Sequence, residues 1–319
     1  LRGQRACVYL PMLSLRTPGF QGESVQFSPL VENKIAVAAV THYGLGGSGR
    51  LYIHDVTPKG IQVCQHYDVE DSLFGVRWSQ NCENQVYACC GDGSLRLFDL
   101  TMPSKPIHKW KEHKAEIVAI DTNTVDRRIV VTGSWDGTIK LWLGNLPNSV
   151  QTLNNGSNSR ILTVATHYSS PNLLGYTSSD GLCKFWDFRS SDKFMSIEIP
   201  NQITCMNWSK SNHRMVYTAD NNNLVYCYDI ANLKTPLSVL SGHQLAVRSI
   251  KSSNSAHDLL ATASYDMTSR IFDPEQHSCI RKVDLHSEFV RDVDWSDFGD
   301  GSWIASVGWD ESLYIWNAF

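Results

Sequence analysis

Gly133-Ser-Trp-Asp-Gly-Thr-Ile-Lys-Leu-Trp142 is the stretch that decides the fold. Its Asp-Gly pair favours a two-residue hairpin turn. After it polar and apolar residues alternate up to a closing aromatic, the period-two pattern of a strand between two layers. The same ending returns as Gly-Arg-Leu-Tyr-Ile-His54, Ser-Leu-Arg-Leu-Phe98, Leu-Cys-Lys-Phe-Trp186, Leu-Val-Tyr-Cys-Tyr228, Thr-Ser-Arg-Ile-Phe272 and Ser-Leu-Tyr-Ile-Trp316. Successive closing residues lie 44, 44, 44, 42, 44 and 44 positions apart. Seven units of ~44 residues need about 308, so the repeat fills the chain and leaves no space for a second domain.

Four short strands per ~40–45-residue unit, separated by turns such as Asp92-Gly93 and Asp180-Gly181, are the signature of the WD40 propeller. The chain is therefore expected to be all-β, a single seven-bladed WD40 β-propeller over residues 1–319. The sequence stops at Phe319, just after the third strand of the seventh unit, which leaves that blade's outer edge unpaired. The segment Met12 to Arg16 precedes the first unit and is expected to supply the missing strand, closing the ring. Residues 1–11 read as an extension or an expression remnant, with Met12 the natural start.

Composition narrows the function. Hydrophobic residues make up 42% of the chain and charged residues 19%, enough apolar material for a packed core. With 28 Lys+Arg against 32 Asp+Glu the formal charge is −4, without the basic excess that nonspecific nucleic-acid binding requires. Nine scattered cysteines, with no CxxC pair and no His/Cys cluster at zinc spacing, predict neither a disulfide framework nor a metal. No cofactor is expected. The neighbours Cys89 and Cys90 should face opposite sides of one strand, as small hydrophobes in a reducing compartment. Asn155-Gly-Ser and Asn207-Trp-Ser match the glycosylation sequon, which a cytosolic chain would carry by chance. The apolar stretch Ala6 to Leu15 resembles a signal core, but Pro11 interrupts it and a closing strand explains it better. No run approaches the ~18 apolar residues of a membrane span.

His113, Ser134, Asp136 and Trp142 form a polar set in the third unit, with 23 residues from His to Asp. His243, Ser264 and Asp266 repeat that spacing with Phe272 in place of Trp, and His286, Asp310 and Trp316 repeat it nearly. Each set resembles a catalytic triad, yet their recurrence in register with the repeat assigns them to the fold as a structural brace of the turns. Gly44-Leu-Gly-Gly-Ser-Gly49 matches GxGxxG, and Asp68 follows at about the right distance. A dinucleotide fingerprint must open a helix, whereas here the strand Arg50 to Asp55 follows, so the glycines are read as a hairpin loop. There is no Walker loop, HExxH or GxSxG, and no enzymatic activity is expected.

A rigid disc that presents loops is suited to binding a peptide or protein on one face. The exposed candidates are Phe74, Glu116, Trp135, Arg160, Ser179, Gln202, Tyr265, Phe289, Arg291 and Trp309, each just before a turn Asp or near the start of an inner strand. Trp135, Tyr265 and Trp309 precede the Asp, where burial is incomplete. Each either anchors a partner or packs against its own neighbouring loops.

Phe27-Ser-Pro with Asn33-Lys-Ile-Ala-Val-Ala-Ala, Tyr43-Gly-Leu-Gly-Gly-Ser-Gly-Arg-Leu, Asp71-Ser-Leu-Phe, Gly242-His-Gln-Leu-Ala-Val-Arg, Ala263-Ser-Tyr-Asp-Met-Thr and His286-Ser-Glu-Phe-Val resemble the family of receptors for the type-2 peroxisomal targeting signal, the seventh peroxins. The resemblance covers nearly the whole chain and is weakest in the fourth and fifth units, where Asn222 stands in place of the usual Asp. It implies a cytoplasmic import receptor, cycling to the peroxisome. Its partners would be matrix cargo such as thiolase-like enzymes, a peroxin co-receptor and the peroxisomal docking complex. No nucleic acid and no membrane span are implied. The cargo signal of the family has the pattern Arg/Lys-Leu-x5-His/Gln-Leu. At ~100° per residue its first and eighth positions differ by about 700°, close to two full turns, so its defining residues share one face of a helix. Such a stripe fits a groove that offers carboxylates and apolar surface. The resemblance carries Asp71 and Glu116 over as the carboxylates, against the alternative of two solvated loop acids. Phe74, Trp135, Tyr265, Phe289 and Trp309 are the weaker candidates for the apolar groove. A general WD40 interaction scaffold, in chromatin or ubiquitin-ligase assemblies, remains the alternative.

Overall fold

Leu13–Arg16 runs antiparallel to Ser312–Asn317, with Leu13 opposite Ile315 and Leu15 opposite Leu313, so the first and last strands share one sheet. That pairing covers the edge that the last blade would otherwise expose. The computed structural model describes residues 12–319 apart from 103, 145, 157–158, 191–193, 200 and 255–257. The reading of residues 1–11 as an extension, and part of the Asn155-Gly-Ser sequon, lie outside these described residues.

Seven four-stranded antiparallel sheets form the blades of an all-β propeller. The inner strands are Gln21–Phe27, Leu73–Trp78, Ile117–Thr122, Ile161–Thr166, Ile203–Trp208, Val247–Ser252 and Val290–Trp295, in blades one to seven. They surround a central channel, and Gly60–Val69, His108–Lys111 and their counterparts form the rim.

The core lies between blades because each sheet is apolar on both faces. Leu51, Ile53 and Tyr67 of blade one pack on Val76, Trp78 and Phe98 of blade two. Val25, Ile35 and Tyr52 of blade one pack on Ala305, Val307 and Ile315 of blade seven. Each such large side chain, fully buried, stabilises the fold by about 1.5–3 kcal/mol. Cys90 joins the cluster on the blade-one side and Cys89 the cluster on the blade-three side, so the adjacent thiols face opposite layers. Indole N–H groups also stitch neighbouring blades: Trp78 donates to Gln26 O at 3.1 Å, Trp208 to Ala165 O at 3.0 Å and Trp295 to Lys251 O at 2.9 Å. Asn207, of the second sequon, is buried in an inner strand.

Candidate peptide-binding face

Near its start every inner strand slips register by one residue. The residue left over is Glu23, Phe74, Val118, Leu162, Thr204, Arg248 or Arg291, in blades one to seven. A bulge takes its residue out of strand alternation and re-aims it. Six of these seven, all but Thr204, line the central channel.

The hairpins between second and third strands reach the same face. The backbone N–H of Trp135 donates to Glu116 O at 3.0 Å, that of Ser179 to Arg160 O at 2.8 Å, that of Asn221 to Gln202 O at 3.0 Å and that of Trp309 to Phe289 O at 3.0 Å. These bonds join the turn residues to the starts of the inner strands, so the two sets of surface candidates form one ring.

The aromatic candidates fall on an arc of that ring. Tyr265 and Phe289 have ring centroids 4.8 Å apart, Phe289 and Trp309 5.4 Å, and Trp309 and Tyr43 5.1 Å. The arc continues at Gly44, where a Cβ would come within 2.8 Å of the Phe74 ring, so only glycine fits. Phe74 and Trp135 follow at 6.4 Å, and the Arg160 guanidinium lies 4.9 Å from the Trp135 ring centre. Tyr43 escapes a period-two reading because it stands on an insertion. Residues 41–48 separate the paired Val40 and Gly49, where the next blade uses only 90–94 between Cys89 and Leu95. His42 and Tyr43 adopt positive φ there, and Leu45 at the tip is 90% exposed.

Asp71 and Phe74 both border Gly91, where a Cβ would lie 2.7 Å from Asp71 Oδ1 and 3.4 Å from Phe74 Cε2. The Ser72 N–H orients that carboxylate by donating to Oδ1 at 2.7 Å. Glu116 is tied to Trp135 through the backbone bond described above. Both acids are partly exposed, and each belongs to the entrance of the blade that carries one ring of the Phe74–Trp135 pair.

Glu23 is absent from the sequence reading, and Arg291, expected on the exposed rim, keeps only 11% of its side chain exposed. Its guanidinium bonds Glu23 Oε2 through Nη2 at 2.7 Å and through Nε at 2.9 Å. Burial works against the Arg291 charge, but Glu23 and Tyr265 outweigh it and raise the pKa.

The polar sets lie behind this face. His113 Nδ1 meets Asp136 at 3.0 Å and its Nε2 meets Thr132 Oγ1 at 2.9 Å, where the Trp142 indole also donates at 2.8 Å. Thr132, which the sequence reading leaves out, is therefore the hydroxyl between His and Trp. Ser134 instead donates to Ala115 O and accepts from the Asp136 N–H, both at 3.1 Å. His243 bonds Asp266 and Thr262, Ser264 caps the Asp266 N–H, and His286 bonds Asp310 and Ser306, which also accepts the Trp316 indole. Burial acts to raise the Asp136 and Asp266 carboxyls, yet bonds from histidine, threonine and backbone hold both well below the usual range. In the fifth blade, where Asn222 replaces the turn Asp, Asp220 takes over from two residues upstream: it accepts from the Asn222 and Leu224 N–H groups and from Tyr226 Oη. In each set the histidine and aspartate satisfy one another within the turns. Among the described residues no group of three or more potential metal ligands occurs, and no helix is long and apolar enough to cross a membrane.

The WD domain, G-beta repeat family matches residues 104–142, 147–187, 234–273 and 277–317. Each matched repeat begins with the outer strand of one blade and ends with the third strand of the next. The peroxisomal targeting signal 2 receptor of Mus musculus is 33% identical, over 95% of this chain and 96% of that protein. That of Dictyostelium discoideum is 35% identical over 88% and 90%, and that of Saccharomyces cerevisiae 29% identical over 96% and 99%.

Proposed function

The chain belongs to the family of peroxisomal targeting signal 2 receptors, WD40 propellers by fold, and from that premise we propose that it binds the helical type-2 signal of matrix enzymes on the face described above. A co-receptor completes the complex, and the receptor cycles between the cytosol and the docking complex of the peroxisome. The observation that carries the reading is the pairing of acid with aromatic: Asp71 beside Phe74, Glu116 tied to Trp135, and the two rings 6.4 Å apart. A signal helix presents its basic residue and leucines on one stripe. Carboxylates next to apolar rings complement such a stripe, and the rings are preformed before the ligand arrives. Exposed ion pairs contribute about 0–1 kcal/mol each, more once the bound helix and co-receptor exclude water.

The test is fluorescence polarisation of the purified propeller with a labelled Arg-Leu-x5-His-Leu peptide, with and without cell extract as a source of co-receptor. The control peptide has the Arg reversed in charge and both leucines made polar. Selective binding that extract strengthens is the expected result. Equal binding of both peptides, or of neither, would remove the receptor reading and favour a general WD40 scaffold.

A further inference from the structure

Glu23 is 2% exposed at the side chain, yet it serves the face from below. One carboxylate oxygen, Oε1, accepts the Trp309 indole N–H at 2.7 Å, and the other accepts two N–H groups of Arg291. Arg291 in turn donates from Nη1 to Tyr265 Oη at 2.7 Å, and its guanidinium lies 5.0 Å from the Trp309 ring centre and 5.6 Å from that of Tyr265. Four residues of blades one, six and seven thereby form one closed polar unit, with Phe289 packed between the two rings it holds.

Stability does not explain such a unit. A buried ion pair is often no better for the fold than apolar residues of the same volume, because both charges lose their water. What the pair adds is direction. Trp309 and Tyr265 stand on hairpin turns at a half-exposed rim, where packing on one side leaves each ring free to change rotamer. The Glu23 bonds remove that freedom for Trp309 directly and for Tyr265 through Arg291. Both Glu23 and Arg291 are bulge residues of adjacent inner strands, which brings them face to face across the blade-one and blade-seven boundary.

We propose that Glu23 is a positioning residue of the signal-binding face, holding Trp309 and, through Arg291, Tyr265 so that Tyr265, Phe289, Trp309 and Tyr43 stand as one preformed wall. This rests on the receptor reading above. A wall that is already ordered spares the bound state the loss of side-chain freedom, so affinity depends on a residue that never touches the ligand.

The experiment uses the full chain with Glu23→Met and Arg291→Met together, which removes both charges and leaves neither unpaired. Three quantities are read: the thermal midpoint, the Kd for the labelled signal peptide, and the indole 15N–1H resonance of Trp309 without peptide. The expected result is a midpoint near wild type, a Kd weakened about 10- to 100-fold, and a Trp309 resonance shifted and broadened. A folded double variant with wild-type Kd overturns the positioning role and leaves the receptor reading intact. A wild-type protein that ignores the peptide overturns both. If the double variant does not fold, Tyr265→Phe decides, since it cuts the Arg291 arm and spares the ion pair. A several-fold weaker Kd supports the proposal and an unchanged one overturns it.

Discussion

The Ser24 hydroxyl donates to Asp292 at 2.9 Å across 268 residues of sequence, joining the inner strands of the first and last blades. The same carboxylate accepts the Val25 N–H at 3.1 Å and the Ser249 hydroxyl at 2.6 Å, so one buried side chain links three consecutive blades. Asp292→Ala would strand these donors inside the protein. A loss of about 3 kcal/mol or more is expected, read as a lower urea midpoint, and an unchanged midpoint would mean that water replaces the carboxylate freely.

Asp71→Lys with Glu116→Lys separates binding from stability. Both acids are partly exposed, so the thermal midpoint should stay near wild type while peptide binding is lost. Asp136→Ala is the converse. It deprives His113, Thr138 and the Lys114 N–H of their acceptor and should destabilise by about 2–3 kcal/mol, with peptide affinity kept in whatever fraction remains folded. A stable, non-binding Asp136→Ala protein would move that residue from the brace to the site.

His54 occupies the closing position where other blades place Trp, Phe or Tyr, and both its ring nitrogens are buried without a hydrogen bond among the described residues. Burial lowers its pKa from 6.5 to about 4, against a smaller opposing effect of Asp55. The unfolded chain therefore binds the proton more readily, and stability is full above about pH 6.5 and falls as the pH drops toward 4. The loss is on the order of 3 kcal/mol. His54→Phe should flatten that part of the stability profile, measured by urea unfolding at pH 7 and pH 5 in both proteins. Parallel profiles would contradict the desolvated histidine.

Asp136 and Asp266 act at lower pH. Their carboxyls are held below the usual range, so they stabilise the fold above about pH 4 and lose that contribution as the pH falls further. Asp266→Asn should make the decline in midpoint below pH 4 shallower than in wild type. An identical slope would show that other carboxylates control acid unfolding.

Removing residues up to Arg16 exposes the edge of Ser312–Asn317, a strand rich in apolar and aromatic residues. The shortened chain should unfold at lower temperature and form higher-order species on size exclusion, and a stable monomer would show that the closing strand is dispensable.

The architecture was legible because its signals are local. Asp-Gly turns and period-two strands lie within ten residues of one another, and the 44-residue spacing repeats them. The site was legible only in part. Asp71 and Phe74 stand at the start of one inner strand, and Glu116 and the turn residue Trp135 stand where the next begins, so register alone brings them to one face. Glu23 left no such trace: its partners lie 268 and 286 residues away, and a bulge breaks the alternation that would have given its direction. Arg291 looked exposed for the same reason, since Glu23, with Tyr265, makes its burial tolerable. Thr132 and Ser134 share one face of a strand, and the choice between them depends on where His113 arrives from the preceding blade.

The pairing of Leu13 with Ile315 also sets a schedule for the living cell. A ribosome adding about 5–20 residues per second takes roughly 15–60 s to travel from one partner to the other. Throughout that interval the opening strand exists without the neighbour it will bond. The earlier blades can form in turn as they emerge, but the ring acquires its last seam only once the seventh blade has been made. A nascent chain arrested anywhere before the seventh blade is thus an open, adhesive object, and the demand this protein places on chaperones lasts until that blade arrives.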